Sequence, residues 1–352
     1  MKRLLCLLSA VLLALLLCAC GASATPSEEA DRSHDLPWRD ALINPSLPDG
    51  FATPDTVSYL FEEESGLRVE NVSFAEIASY LSGRQHLPRT DHFDSFLSDG
   101  VRSLLPALDY ALCHGCGRLC IPTTAVEGSE LFHASRWLDM IYHVKNYGVT
   151  GRTVASFQNR AGDTVNYVYI SLLGMSDGAF EDRYRAALAE AERIVAAVPE
   201  GADEVETARY LYRYLTENVT YDFAYYDDWD MTQSCLLYDA LVARSTVCAG
   251  YEAALYTLFN LAGIECFPVY GNLYGPSFDR QEAIETGTGH AWSIAKLNGE
   301  YYEFDPTWDA GVPPEQYRFF AISTADMQAY YPRVYDAITE EYAPPRVKTL
   351  GS

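Results

Sequence analysis

Apolar residues recur at helical spacing in two long stretches past the middle of the chain. In "FEDRYRAALAEAERIVAAVP" Phe180, Tyr184, Ala187, Leu188, Ala191, Ile194 and Val195 fall on one stripe and Pro199 ends it, which predicts an amphipathic helix. "DEVETARYLYRYLTENVTYD" repeats the pattern through Val205, Ala208, Leu211, Tyr212 and Leu215. A third stripe, Tyr251, Ala254, Leu255, Leu258, Phe259 and Ala262, predicts a helix capped by Ser245 or Thr246 and stopped at Gly263. Further on, "GHAWSIAKL" and "EYYEF" read as strands on either side of Asn298-Gly299, the strongest short-range hairpin signal. With these two as the central turn residues, Leu297 faces Glu300. Counting outward, Trp292 faces Asp305 and His290 lies one diagonal step away on the same face, roughly 7–8 Å off at the backbone.

The preceding part of the chain is mixed. "FAEIASYL" and "GVRSLLPALDYAL" carry helical spacing, while "TVASF" and "TVNYVYISLL" are strand-like with "RAGD" as the turn between them. This predicts a separate small α+β domain over 56–175, whose role is not legible, ahead of a second domain over 176–352.

The chain begins "MKRLLCLLSAVLLALLLCAC", a short basic start followed by an apolar run, which is a secretory signal rather than a fold element. A small residue just before Cys20, with leucine further back, resembles a bacterial lipobox. Residues 1–19 would then be removed and Cys20 lipidated, leaving an exported protein anchored to the membrane on its extracytoplasmic face. A plain secretory cleavage nearby or an uncleaved anchor is the alternative, though the run is short for a span of about 20 residues. Residues 20–55, with Pro26, Pro37, Pro45, Pro48 and Pro54, read as a flexible tether.

Of 352 residues, 49 % are hydrophobic and 13 % aromatic, enough for a sizeable core in one or two domains. The net charge of −24 disfavours a nucleic-acid partner, because phosphate contacts need a basic footprint. "CHGCGRLC" places Cys113, His114, Cys116 and Cys120 within eight residues. Structural zinc usually takes two ligand pairs separated by a longer loop. Cysteines at this spacing can equally pack at the end of a helix or pair as a disulfide in an oxidising compartment. "DFAYYDDWD" is either a solvated loop or an aromatic lip over a cleft.

Cys248 falls in the first turn of the third helix, where unpaired N–H groups and the positive dipole end favour a thiolate. A lone cysteine there can equally be core. Downstream, Asp305 is placed to fix the tautomer of His290 and stabilise its imidazolium, leaving the other ring nitrogen to take a proton from Cys248.

"STVCAGYEAALYTLFNLAGIECFPVYG", "GHAWSIAKLNGEYYEFDPTWD" and "YRFFAIS" resemble the successive core motifs of the transglutaminase-like superfamily, which shares the papain-like cysteine-protease fold. The likeness spans about Val205 to Thr324. It implies an α+β core in which the Cys248 helix packs on an antiparallel sheet, with Cys248, His290 and Asp305 as the catalytic triad. Ser245 and Thr246 stand where the family has Gly-Lys or a similar pair. The oxyanion donor of the family comes from a side chain upstream of the cysteine. Tyr238, Gln233 and Trp292 are candidates for oxyanion or substrate contacts, beside the backbone N–H of Cys248.

The expected activity is attack of Cys248 on a peptide or protein amide, with a thioester intermediate released to water by a peptidase or amidase. Release to an amine would make the enzyme a protein-glutamine acyltransferase; a catalytically silent binding or scaffold module is the third reading. This chemistry requires no metal or organic cofactor.

Overall fold

The structure, a computed structural model, describes residues 55–63, 66–82, 98–114, 116, 118–123, 147–158, 164–172, 179–224, 236–273, 289–336, 339–340 and 343–344. The signal segment, Cys20, the tether apart from Asp55, the "RAGD" turn, Gln233 and the "DFAYYDDWD" loop from Tyr225 onward lie outside the described residues. No described helix is long and apolar enough to cross a membrane. Two compact units divide the chain at Glu190, with a short stretch ending at Tyr238 counted with the first.

In the first unit, β1 (Thr56–Glu63), β2 (Gly66–Ser73), β3 (Arg118–Thr123), β4 (Tyr147–Gln158) and β5 (Thr164–Leu172) form one antiparallel sheet in the order β2-β1-β3-β5-β4. Helix α1 (Phe74–Leu81) starts at a capping box of Ser73 and Glu76 and is followed by α2 (Asp99–Cys113). Val57, Ile77, Leu104, Leu108, Leu119 and Ile121 are buried in its core, and the Tyr59 hydroxyl donates to the Ala107 carbonyl at 3.0 Å.

In the "CHGCGRLC" cluster Cys116 and Cys120 are buried and Cys113 is half-buried. Burial pushes the Cys120 thiol up to about 12 and Cys116 up to about 11. The Cys116 thiol donates to the Arg118 carbonyl at 3.0 Å, and His114 stacks on Tyr110 with centroids 3.9 Å apart. Among the described residues no three His, Cys, Asp or Glu side chains gather where they could hold a metal ion.

The two amphipathic stripes become α3 (Ala179–Ala196) and α4 (Glu204–Asn218), the latter capped by Asp203 and Glu206. Ala208, Leu211, Tyr212 and Leu215 of α4 are fully buried, as their spacing predicts. Two short strands, β6 (Thr220–Tyr221) and β7 (Ser245–Thr246), pair in parallel, and α5 (Cys248–Leu261) follows. The main sheet of the second unit has the order β10-β9-β8-β11, antiparallel throughout, from β8 (Cys266–Leu273), β9 (Gly289–Leu297), β10 (Glu300–Phe304) and β11 (Arg333–Tyr335). Short helices α6 (Pro306–Asp309) and α7 (Thr324–Tyr330) lie between β10 and β11.

The hairpin has the register read from its turn: Leu297 pairs with Glu300 and Ser293 with Phe304. Asn298 and Gly299 both take positive φ, 51° and 88°, as this two-residue turn requires. Helix α5 departs from expectation in two ways. It is buried on every side, Glu252, Ala253, Tyr256 and Thr257 included, so the apolar stripe is only part of its packed surface. Its N-cap is Val247, because the backbone of Ser245 and Thr246 is already committed to β7, and Val247 offers no capping side chain.

Gly271 of β8 lets β11 approach. A Cβ there would meet the Val334 carbonyl oxygen and come within 2.7 Å of the Trp292 ring. Since neither the strand nor the buried indole can yield cheaply, Gly271→Ala is expected to cost about 2–3 kcal/mol in urea unfolding. A loss below about 0.5 kcal/mol, the range of a bland surface change, would show that β11 is loosely held.

Candidate active site

Cys248 is the first residue of α5 and is 5 % exposed. The helix uses the Val247 carbonyl as acceptor for the N–H groups of Gly250 and Tyr251, and no side chain caps the turn. The first-turn dipole is thus directed at the thiol end of the helix. Gly250 is required for this turn to pass over β7, since a Cβ there would collide with the Thr246 side chain.

The sheet carries the other two residues. His290, in β9, is 3 % exposed, and its Nε2 lies 2.8 Å from Oδ2 of Asp305. Asp305 is fully buried at the end of the hairpin, capping α6, with its N–H donating to the Phe319 carbonyl at 2.9 Å. The Trp308 indole nitrogen also lies 3.3 Å from Nε2. Both contacts cannot be hydrogen bonds at once, because Nε2 is either a donor or an acceptor. The shorter contact, to a carboxylate, places the proton on Nε2 and the lone pair on Nδ1, which is buried with no hydrogen-bond partner among the described residues.

Oδ2 of Asp305 accepts from a second donor, the charged guanidinium of Arg333 through Nη1, at 2.7 Å. Arg333 is 2 % exposed, its guanidinium lying between the rings of Trp292 and Phe319 at 4.9 and 5.9 Å. Burial alone would raise the Asp305 carboxyl. His290 and Arg333 more than offset it and hold the carboxyl below its ordinary value. A carboxyl depressed in the folded state contributes stability that is present above its unfolded pKa, about 3.9, and is lost as pH falls through the lower folded value. The acid limb of the stability curve below about pH 4 is therefore expected to flatten in Asp305→Asn, measured by urea midpoints against pH. An unchanged limb would mean that other carboxylates carry it.

The direction of α5 brings these parts together. Its far end is tied to the start of β8 by Asn260, whose side chain donates to the Cys266 carbonyl at 3.0 Å, and Cys266 pairs with Ala295 of β9. Back along the helix, Cys248 is about 18 Å from Asn260. Along β9, His290 is about 17 Å from Ala295. One turn past Cys248, Glu252 accepts a hydrogen bond from Tyr270 at 3.2 Å, and Tyr270 pairs with Ala291, the neighbour of His290. The first turn of α5 therefore lies at the end of β9 that bears His290.

With that geometry in place, the family comparison is specific: the profile of the Transglutaminase-like superfamily matches residues 191–306, from the end of α3 to the residue after Asp305. This stretch is a transglutaminase-like domain. Human kyphoscoliosis peptidase is 26 % identical over 113 residues, 32 % of this chain and 17 % of that protein, and the mouse protein is 25 % identical over the same length. The chain thus spans about a sixth of the length of these curated relatives. Among solved structures, a TGase crystal structure aligns with 59 % of this chain and 55 % of its own at 13 % identity and a TM-score of 0.29. The periplasmic domain of TgpA from Pseudomonas aeruginosa, bound to ethylmercury, aligns with 56 % and 74 % at 17 % identity and a TM-score of 0.26. The matched stretch carries the α+β arrangement described above, and its likeness to this superfamily supports a cysteine-dependent enzyme acting on amide bonds.

Within the transglutaminase-like domain the remaining candidates separate. Trp292 is not a substrate or oxyanion donor: it is fully buried, its one N–H is spent on Glu303 at 2.9 Å, and it serves as a platform under His290 with rings 5.8 Å apart. Tyr238 closes a short helical turn, Leu236–Tyr238, and is half-buried. Cys266 is fully buried, and burial pushes its thiol well up, which suits a structural residue. Three residues escaped the sequence reading. Arg333 grips Asp305 from 28 positions away; Trp308 adjoins His290. Asp309 accepts from the Tyr212 hydroxyl at 2.7 Å and from the N–H groups of Arg318 and Phe319, both at 3.0 Å, so it holds the segment to which Asp305 bonds. "DPTWDA" contains two of them, but nothing in its pattern distinguishes them from a turn.

Proposed function

We propose that the protein is an exported cysteine peptidase or amidase in which Cys248 is the nucleophile, His290 the general base and acid, and Asp305 the orienting carboxylate. The observation that carries this reading is the buried His290–Asp305 bond, which puts the imidazole lone pair on Nδ1 at the end of β9 where α5 begins. Nδ1 takes the Cys248 proton, and the thiolate attacks the amide carbonyl. The backbone N–H of Cys248, at an uncapped helix start, steadies the oxyanion. The imidazolium then protonates the leaving amine as the C–N bond breaks, giving a thioester. Water, deprotonated at Nδ1, releases the acid and restores the thiol. Asp305, charged at neutral pH, offsets the positive imidazolium throughout. The apolar run before Cys20 supports export and lipid anchoring at that residue, which would set the domain against peptides outside the cytoplasm.

The test is incubation of the full chain with a mixed peptide library and a labelled primary amine, analysed by mass spectrometry. Hydrolysis products that disappear in Cys248→Ala, with no amine incorporated, are expected. Incorporation of the amine would replace hydrolysis by acyl transfer, and no product of either kind would favour a binding module.

A further inference from the structure

A cavity of about 420 Å³ adjoins the His290 arm of the site. Its walls include Val219, Tyr221, Phe223, Thr307, Trp308 and Ala310, residues that lie near both halves of the triad along the chain or by contact. On one side, Tyr221 of β6 pairs with Thr246 of β7, two residues before Cys248. On the other, Thr307 and Trp308 immediately follow Asp305 and Pro306, and Trp308 Nε1 is 3.3 Å from His290 Nε2.

We infer that this cavity is the subsite for a large apolar side chain, aromatic or branched aliphatic, carried by the peptide substrate next to the scissile amide. The inference rests on the proposed peptidase reading of the site. The walls are chiefly aromatic and aliphatic, and the volume lies in the range of pockets that enclose small ligands. Phe223 is half exposed beside Tyr221, with ring centroids 4.9 Å apart, so an aromatic edge borders the cavity. Two polar features argue against a charged occupant. Glu217 already carries an ion pair with Arg213 at 2.7 Å, and the Thr216 hydroxyl is engaged by Tyr317.

The experiment measures inactivation of the full chain by peptidyl chloromethyl ketones that differ only at the two residues preceding the ketone, carrying Gly, Lys, Leu or Phe. The pocket is read in KI and the triad in kinact, with the iodoacetamide rate as a reference that needs no pocket. Leu or Phe at one of the positions is expected to lower KI at least 10-fold relative to Gly and Lys. Ala310→Trp, which fills the cavity, should bring the Phe reagent to within 3-fold of the Gly reagent while leaving the Gly and iodoacetamide rates within 2-fold. Should Ala310→Trp lose its near-UV circular dichroism, Phe223→Ala at the half-exposed edge replaces it, with at least a 3-fold loss of the Phe preference expected. Equal KI across the series, a Lys preference, or a Phe preference that survives these variants would overturn the assignment. Slow kinact and an ordinary iodoacetamide rate, with the KI ranking intact, would instead count against the triad and leave the pocket standing.

Discussion

Arg333→Met should destabilise the second unit by about 3–5 kcal/mol, because it leaves the Asp305 carboxylate buried with only an imidazole beside it. The guanidinium is 2 % exposed and lies 2.7 Å from Oδ2, so water cannot take its place without opening the packing of Trp292 and Phe319 around it. The size of the effect comes from the orphaned charge more than from the bond itself. Arg333→Met combined with Asp305→Ala, which removes both charges, should therefore be more stable than the sum of the single losses by about 1–3 kcal/mol. Urea unfolding followed by tryptophan fluorescence measures all three. A single-variant loss under about 1 kcal/mol would mean that the pair is solvated and does not organise the site.

Asp305→Asn should reduce amide turnover, or thiol activation where no substrate is in hand, on the order of 10²- to 10⁴-fold. His290 and Arg333 both contact the same oxygen, so the asparagine carbonyl can accept from both and preserve their positions. What it removes is the negative charge that offsets the imidazolium. The loss thus isolates electrostatics from geometry, and it should appear in kcat with KM nearly unchanged. Asp305→Ala, which also frees the imidazole to rotate, should be no more active than Asp305→Asn. A fall of less than 3-fold in Asp305→Asn would remove Asp305 from the proposed chemistry and leave it as the partner of Arg333.

The parts of this domain that were legible in the sequence are those fixed by local rules. Asn298-Gly299 sets the hairpin register, because both residues must take positive φ, and that register carries His290 and Asp305 to one end of the sheet. The stripe in α4 reads correctly because only one of its faces is buried. Helix α5 reads less well, since a helix packed on every side has no polar face to mark its orientation. Its cap differs from the local expectation for a tertiary reason: Ser245 and Thr246 are drawn into a parallel pairing with Thr220 and Tyr221, 25 residues away, which no local propensity signals. Arg333 was out of reach for the same cause. A lone arginine in "YPRVYDA" reads as an exposed strand residue until β11 pairs with β8 and presents it to Asp305. Trp292 shows the converse, a residue with the right chemistry for a donor whose N–H is consumed by Glu303 within the core.

The proposed pairing of a Cys248 thiolate with His290 is tested by the pH dependence of Cys248 alkylation. Iodoacetamide incorporation at Cys248 is followed by peptide mass spectrometry from about pH 4 to 10, in the native chain and in His290→Ala. A rate that stays high well below the ordinary thiol pKa of about 8.5, and that collapses on the acid side in the variant, is expected. An ordinary thiol profile, unchanged by His290→Ala, would contradict it.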